Sequence, residues 1–256
     1  MNIIVCIKQV PDSLEVRLKD DYTLERDFVA QVMNPADESA LEWALRVRDR
    51  TGGAVTALSM GPARAEGMLR EALARGADQA VLLTDPCFAG ADTLVTARCL
   101  ASAIRALGGA DLIACGRRAA DGETGQVGPM TASMLDIPCV TNAMRAEAAE
   151  RLTAEQLTED GVTVWTCGYP ALVTFCEWSY RLRLPTLAGL KKARQAEVRR
   201  LMPEDIGLSA AECGLKASPT RVRHVEAQTA GVRPCRRMSA SECLAALRER
   251  YPEAGL

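Results

Sequence analysis

The chain is poor in the residues from which most catalytic sites are built. It has a single histidine, His224. One histidine cannot supply a two-His zinc site, and an HExxH motif is ruled out. A Ser-His-Asp triad would have to use His224, and no G-x-S-x-G elbow exists to pair with it. His224 is therefore read as an ordinary surface or core residue. The ten cysteines contain no C-x-x-C pair, so neither a zinc ribbon nor an iron–sulfur run is written here. Several lie inside apolar runs, such as Val5-Cys6-Ile7. They read as small buried hydrophobes in a reducing cytoplasm. There is no Walker A sequence and no G-x-G-x-x-G. No stretch reaches the roughly 18–20 apolar residues of a membrane span. The opening Met1-Asn2-Ile3-Ile4-Val5 has no basic stretch before its apolar run, so no secretory leader is expected. Charge of one sign is also missing: 31 Lys and Arg balance 33 Asp and Glu. That balance gives no electrostatic case for nucleic acid.

What the chain does have is ordinary globular composition over 256 residues, 48% apolar and 25% charged. That length suits one or two domains with a real core. Short apolar runs alternate with amphipathic stretches over the first 140 residues or so. Strands are expected at Ile3–Ile7, Ala54–Met60, Ala80–Leu83, Asp111–Cys115 and Pro138–Thr141, with helices between them. Asn34-Pro35-Ala36-Asp37 is a helix start: Asn caps, Pro suits the first position and Asp favours the dipole. Leu14–Phe28 reads as a loop or edge hairpin. The succession predicts an α/β fold, a doubly wound and mostly parallel sheet. Val162–Thr166 and Ala171–Phe175 read as a hairpin across Gly168-Tyr169-Pro170. A basic helix is expected over Leu187–Ala196 and an extended arm over Met202–Val232. Ser239 and Glu242 form a capping box for a last helix with Leu244, Leu247 and Tyr251 on one face. The expected division is a nucleotide-binding domain over 1–185 and a helix and arm over 186–256, packing on a partner.

In an open α/β sheet, ligands bind beyond the carboxyl ends of the strands. The most informative loop there runs from Gly116 to Gly128. Gly122, Gly125 and Gly128 straddle an expected helix start, where backbone N–H groups and partial positive charge suit a phosphate. Two readings stand at this point, a phosphate cradle and ordinary turn chemistry. Asp85, Asp92, Asp121 and Glu123 likewise read either as a metal or acid–base site or as caps and turns. No histidine or second acidic pair supports catalysis. From the residues alone the chain is a nucleotide-binding domain with no visible catalytic machinery.

The same loops carry a resemblance. The stretches are Val5-Cys6-Ile7-Lys8-Gln9-Val10-Pro11-Asp12, Met33 to Asp37, Leu58 to Pro62, Gly76-Ala77-Asp78, Phe88 to Thr93, Cys115 to Pro129, Arg183 to Leu187 and Gly214 to Thr220. In this order they resemble the beta subunit of electron-transfer flavoproteins, including the electron-bifurcating type. The resemblance implies an electron carrier rather than an enzyme, in a heterodimer with a flavin-carrying alpha subunit and in the cytoplasm. It implies exchange of electrons with acyl-CoA dehydrogenase-type or other flavin dehydrogenases, met through residues 180–190. It implies an adenine nucleotide on this chain, AMP in the ordinary type and FAD in the bifurcating type. The cofactor contacts it implies are Cys6, Asn34, Pro35, Ala36, Asp37, Met60, Phe88, Asp92, Thr93, Gly116, Arg117, Arg118, Ala119, Ala120, Asp121, Gly122, Glu123, Thr124, Gly125, Gln126 and Val127. Cys6 and Met60 would flank adenine. Phe88–Thr93 and Asp121–Pro129 look more like the bifurcating type, which favours FAD. The competing reading is a stand-alone adenine-nucleotide sensor of universal-stress-protein type, which leaves residues 180–256 unexplained.

Overall fold

The computed structural model describes residues 1–12, 30–223 and 237–254. Leu14–Phe28 and His224 lie outside the described residues. The chain divides into two compact units, Met1–Arg223 and His224–Leu256.

The larger unit is built on one nine-stranded sheet. Its parallel part uses β1 (Asn2–Cys6), β4 (Ala54–Met60), β5 (Gln79–Leu83), β6 (Leu112–Gly116), β10 (Ala171–Phe175) and β11 (Arg199–Leu201). β7 (Cys139–Ala148) joins β10 in parallel, and β8 (Leu152–Thr158) and β9 (Gly161–Cys167) then add antiparallel to it. The order is β11-β5-β4-β1-β6-β10-β7-β8-β9. A separate two-stranded ribbon pairs β2 (Gln9–Pro11) with β3 (Gln31–Met33).

Alternation along the central strands sorts the core into two layers. Ile3 and Val5 of β1, Leu112 and Ala114 of β6, and Val173 and Phe175 of β10 face α1 (Pro35–Thr51) and α2 (Glu66–Arg75). Ile4, Ile113, Cys115 and Leu172 face the other way, against α3 (Thr93–Ala106) and α4 (Val127–Leu135). Both faces are covered, so the strands read as continuous apolar runs. Trp43 and Phe175 are the largest fully buried side chains. Their rings pack at 5.0 Å between centroids.

The hairpin expected from Val162–Thr166 and Ala171–Phe175 does not form. β9 pairs with β8, and β10 instead enters the sheet between β6 and β7, parallel to both. Burial explains the difference. All five residues of β10 are buried, which only a central strand with both faces covered provides, whereas β9 is exposed along nearly its whole length. β7 also runs well past the short strand expected at Pro138–Thr141.

α5 (Leu187–Gln195) forms where the basic helix was expected and packs against α2. The arm expected from Met202 lies on the larger unit as far as it is described there. Short helical turns at Glu204–Ile206 and Ala210–Glu212 and α6 (Gly214–Ala217) bury Ile206, Cys213 and Ser218. In the smaller unit, α7 (Ala240–Arg250) starts at the Ser239–Glu242 capping box and has no buried residue.

Candidate functional site

The chain leaves β1 for β4 and β5 on one side and then crosses to β6 on the other. The loops after β1 and β6 diverge there, opening the crevice where doubly wound sheets take their ligands. Cys6 ends β1, Met60 ends β4 and Gly116 ends β6. Cys6, Met60 and Val127 border the same apolar layer and are half-buried.

Two side chains from the start of α1 hold the walls of this crevice together. Asp37 Oδ1 accepts from Gly116 N and Asp37 Oδ2 from Lys8 N, each at 2.7 Å. The carboxylate thus bridges the loop after β1 to the loop after β6. Asn34 Nδ2 donates to Arg118 O at 2.9 Å, and Asn34 Oδ1 accepts from Ala120 N at 3.0 Å. Asn34 was expected to cap α1 with its side chain. Its carbonyl does accept from Asp37 N and Glu38 N, but the side chain is spent on the β6 loop. A third tie is the Lys8 Nζ–Asp121 Oδ1 ion pair at 2.6 Å. Gly116 is required by this packing: a Cβ there would overlap Asp37 Oδ1 and the Ala36 Cβ.

Burial sets the electrostatics. It pushes the Asp37 carboxyl up to about 7, against the pull of the Lys8 and Gly116 N–H groups. Burial, with the Asp37 charge beside it, pushes the Cys6 thiol up to about 12. Burial raises Cys115 well above the ordinary thiol range too. These thiols are apolar lining, not nucleophiles.

Beyond Asp121 the loop reaches solvent. Gly122, Glu123, Thr124, Gly125 and Gln126 are exposed, and Pro35, Arg117, Ala119 and Ala120 are half-buried. Gly125 takes φ +64, a left-handed turn that aims the chain into α4. The first turn of α4 has no acidic residue, and its leading N–H groups lack intrahelical partners by geometry. A helix start of this kind, reached from an exposed loop, fits an anionic phosphate.

The segment after β5 joins the site only in part. Thr93 Oγ1 donates to Gln126 Oε1 at 2.9 Å, linking the start of α3 to the start of α4. Phe88 is buried in the core. Asp92 caps α3 through Val95 N at 3.0 Å and also takes Thr220 N and Thr220 Oγ1. Its carboxylate is a structural tie to the chain beyond α6. Asp85 caps the turn at Pro86–Phe88. Among the described residues no group of His, Cys, Asp and Glu is arranged to hold a metal ion.

One participant escaped the sequence reading. Glu177 accepts from Arg117 Nε at 2.8 Å and from Arg118 Nε at 3.2 Å. Burial would raise its carboxyl, but its own backbone N–H and the two arginines hold it below the usual range. It lies 60 residues from Arg117, and only the insertion of β10 beside β6 brings them together.

A model of the electron transfer flavoprotein domain family matches residues 22–206. The chain is 47% identical over 225 residues to the electron transfer flavoprotein subunit beta of Thermoanaerobacterium thermosaccharolyticum, covering 87% of this chain and 86% of that protein. It is 44% identical to Protein FixA of Bradyrhizobium diazoefficiens, over 90% of this chain and 83% of the relative. It is 41% identical to the caffeyl-CoA reductase-Etf complex subunit CarD of Acetobacterium woodii, over 87% and 86%. No helix among the described residues is long and apolar enough to cross a membrane.

Proposed function

This chain belongs to the electron transfer flavoprotein family, as a beta subunit, and from that premise we propose that its strand-end crevice binds an adenine nucleotide. The phosphate lies over residues 122–127 at the start of α4. Adenine lies between Cys6 and Met60, on the same apolar edge as Val127. Asp37 and Asn34 hold the two walls through their side chains. A stand-alone sensor of universal-stress type does not account for a chain that matches beta subunits across most of its length.

The nucleotide we favour is FAD. Arg117 and Arg118 of the same loop bring two guanidiniums, now paired with Glu177 and, for Arg118, also with Glu123, and these suit a second phosphate. A flavin supplies one- and two-electron chemistry that no side chain of this protein offers. The protein's own part is to bind, to orient and to exclude water. The chain works in the cytoplasm as a carrier, paired with a flavin-bearing alpha subunit, and exchanges electrons with flavin dehydrogenases. The segment from Tyr180 to Leu190 meets those partners: Leu184 and Leu187 are more than four-fifths exposed, on a stretch fixed from behind by Arg183.

The observation that carries the reading is the acid-free start of α4, behind an exposed glycine loop at the switch point. Gln126→Glu tests it. The change keeps an acceptor for Thr93 and places a carboxylate where it favours the helix dipole, so melting should hold or rise slightly. The same charge repels a phosphate, so nucleotide affinity should fall about tenfold or more. Acid extraction and chromatography give the identity and amount of the nucleotide. Two flavins per heterodimer support FAD, and one flavin with one AMP supports AMP. Undiminished occupancy in the variant rules out phosphate at this helix.

A further inference from the structure

Glu177 stands where two parts of the molecule meet. It follows β10, and its two carboxylate oxygens hold Arg117 and Arg118 of the loop after β6. Arg117 N also donates to Phe175 O at 2.8 Å, so the two chain segments are joined through backbone as well. The next residue, Trp178, has φ +60 and is 85% exposed. The left-handed region is a genuine outlier for so bulky a residue. Trp178 is the third residue of a turn that Ser179 N closes on Cys176 O at 3.5 Å. On one side the neighbour is Glu177. On the other it is Ser179, whose hydroxyl donates to Ala143 O at 3.3 Å, followed by Tyr180, whose ring meets Phe175 edge-on at 5.6 Å and whose hydroxyl accepts from Ala146 N at 3.0 Å. Further along, Arg183 is fastened to Glu42 and Asp49. The exposed Leu184 and Leu187 follow.

The turn thus has several ties, and the ion pairs of Glu177 are the ones that reach the loop after β6. Phosphate offers a guanidinium the same forked acceptor as a carboxylate, with more charge. We propose that Glu177 couples the phosphate loop to the segment that presents Leu184 and Leu187. A diphosphate at residues 122–127 competes with Glu177 for Arg117 and Arg118. When Glu177 loses them, Trp178 leaves the left-handed region and residues 177–182 loosen. Coupling of this kind is reciprocal: a partner that holds the segment in its tied form weakens the nucleotide by the same factor. Glu177 acts through the arginines and is a positioning residue. The inference rests on the nucleotide reading above and adds the link to it.

The test is amide exchange of the full nucleotide-stripped chain, read by mass spectrometry with and without ADP. In the unaltered chain, ADP should slow exchange over residues 116–127 and speed it over 177–182. In Glu177→Gln, residues 177–182 should exchange fast without ADP, and ADP should add nothing. ADP should also bind that variant about fivefold or more tightly. If ADP protects 116–127 while 177–182 stay unchanged, the coupling is overturned and the nucleotide reading survives. If ADP gives no protection at 116–127, both are overturned. The first comparison needs no variant, so a poorly folded Glu177→Gln would not shield the proposal.

Discussion

Asp37 shows how much of the site depends on single atoms. Both oxygens accept from backbone N–H groups of different loops. Asp37→Asn would set an NH2 group against one of those N–H donors and leave a buried donor unpaired. The expected cost is about 1–3 kcal/mol of stability. The cost should vary with pH. Burial lifts the folded carboxyl from 3.8 to about 7. A raised folded value means that the native state holds the proton more tightly. The favourable contribution is therefore complete below the ordinary carboxylate range and is lost as pH climbs through about 7. Thermal melts of the two proteins between pH 4 and 8 check this. The deficit of Asp37→Asn should be largest at acid pH and should shrink towards pH 8. A gap that widens with pH would mean that the ionised carboxylate is the favoured form.

At the scale of elements, α5 depends on one close approach. Thr186 caps it, accepting from Gly189 N at 2.9 Å, and Arg70 of α2 donates to Ala193 O and Ala196 O at its far end. A Cβ on Gly189 would overlap Ala74 O at the end of α2. Gly189→Ala, harmless in an isolated helix, is expected to push α5 off α2 and cost about 1–3 kcal/mol by overpacking. Amide exchange should rise over 187–195 and stay unchanged in β1. Unchanged exchange over α5 would show that the α2 carbonyl gives way instead. The same helix begins at Leu187, so the variant also shifts that exposed side chain.

At the scale of the whole molecule, apolar side chains are left uncovered in both units. Val162, Val164 and Trp165 of β9 are each more than half exposed, as are Leu184 and Leu187. In the smaller unit Leu244, Leu247 and Tyr251 are exposed. Surfaces of this kind mark contact with a partner. An alpha subunit at 100 times its Kd adds about 2.7 kcal/mol to the stability of this chain. For a protein of this size that is a rise in Tm of several degrees. Calorimetry and sedimentation of the chain, with and without the alpha subunit, read the effect. Identical melting and a well-behaved monomer in both cases would refute a partner on these faces.

Local physics was legible in the residues because it needs only near neighbours. The alternating apolar runs specified β1, β4, β5, β6, the start of β7 and the helices between them. Ser239 is a cap as expected, and Asp92 takes the cap reading of the two it carried, since a cap is decided within three residues. The exposed glycine turn before α4 was legible for the same reason. Tertiary structure decided what depends on distant partners. Val162–Thr166 and Ala171–Phe175 carry hairpin signals, yet burying both faces of β10 outweighs a short connection, and the strand went to the centre of the sheet. The side chain of Asn34 left its cap position because two backbone groups of a loop more than 80 residues away needed partners. Glu177 became part of the site only because β10 lies beside β6. A sequence states which groups are apolar, which turn and which cap; which buried polar atoms find each other is set by the packing that brings them within 3 Å or so.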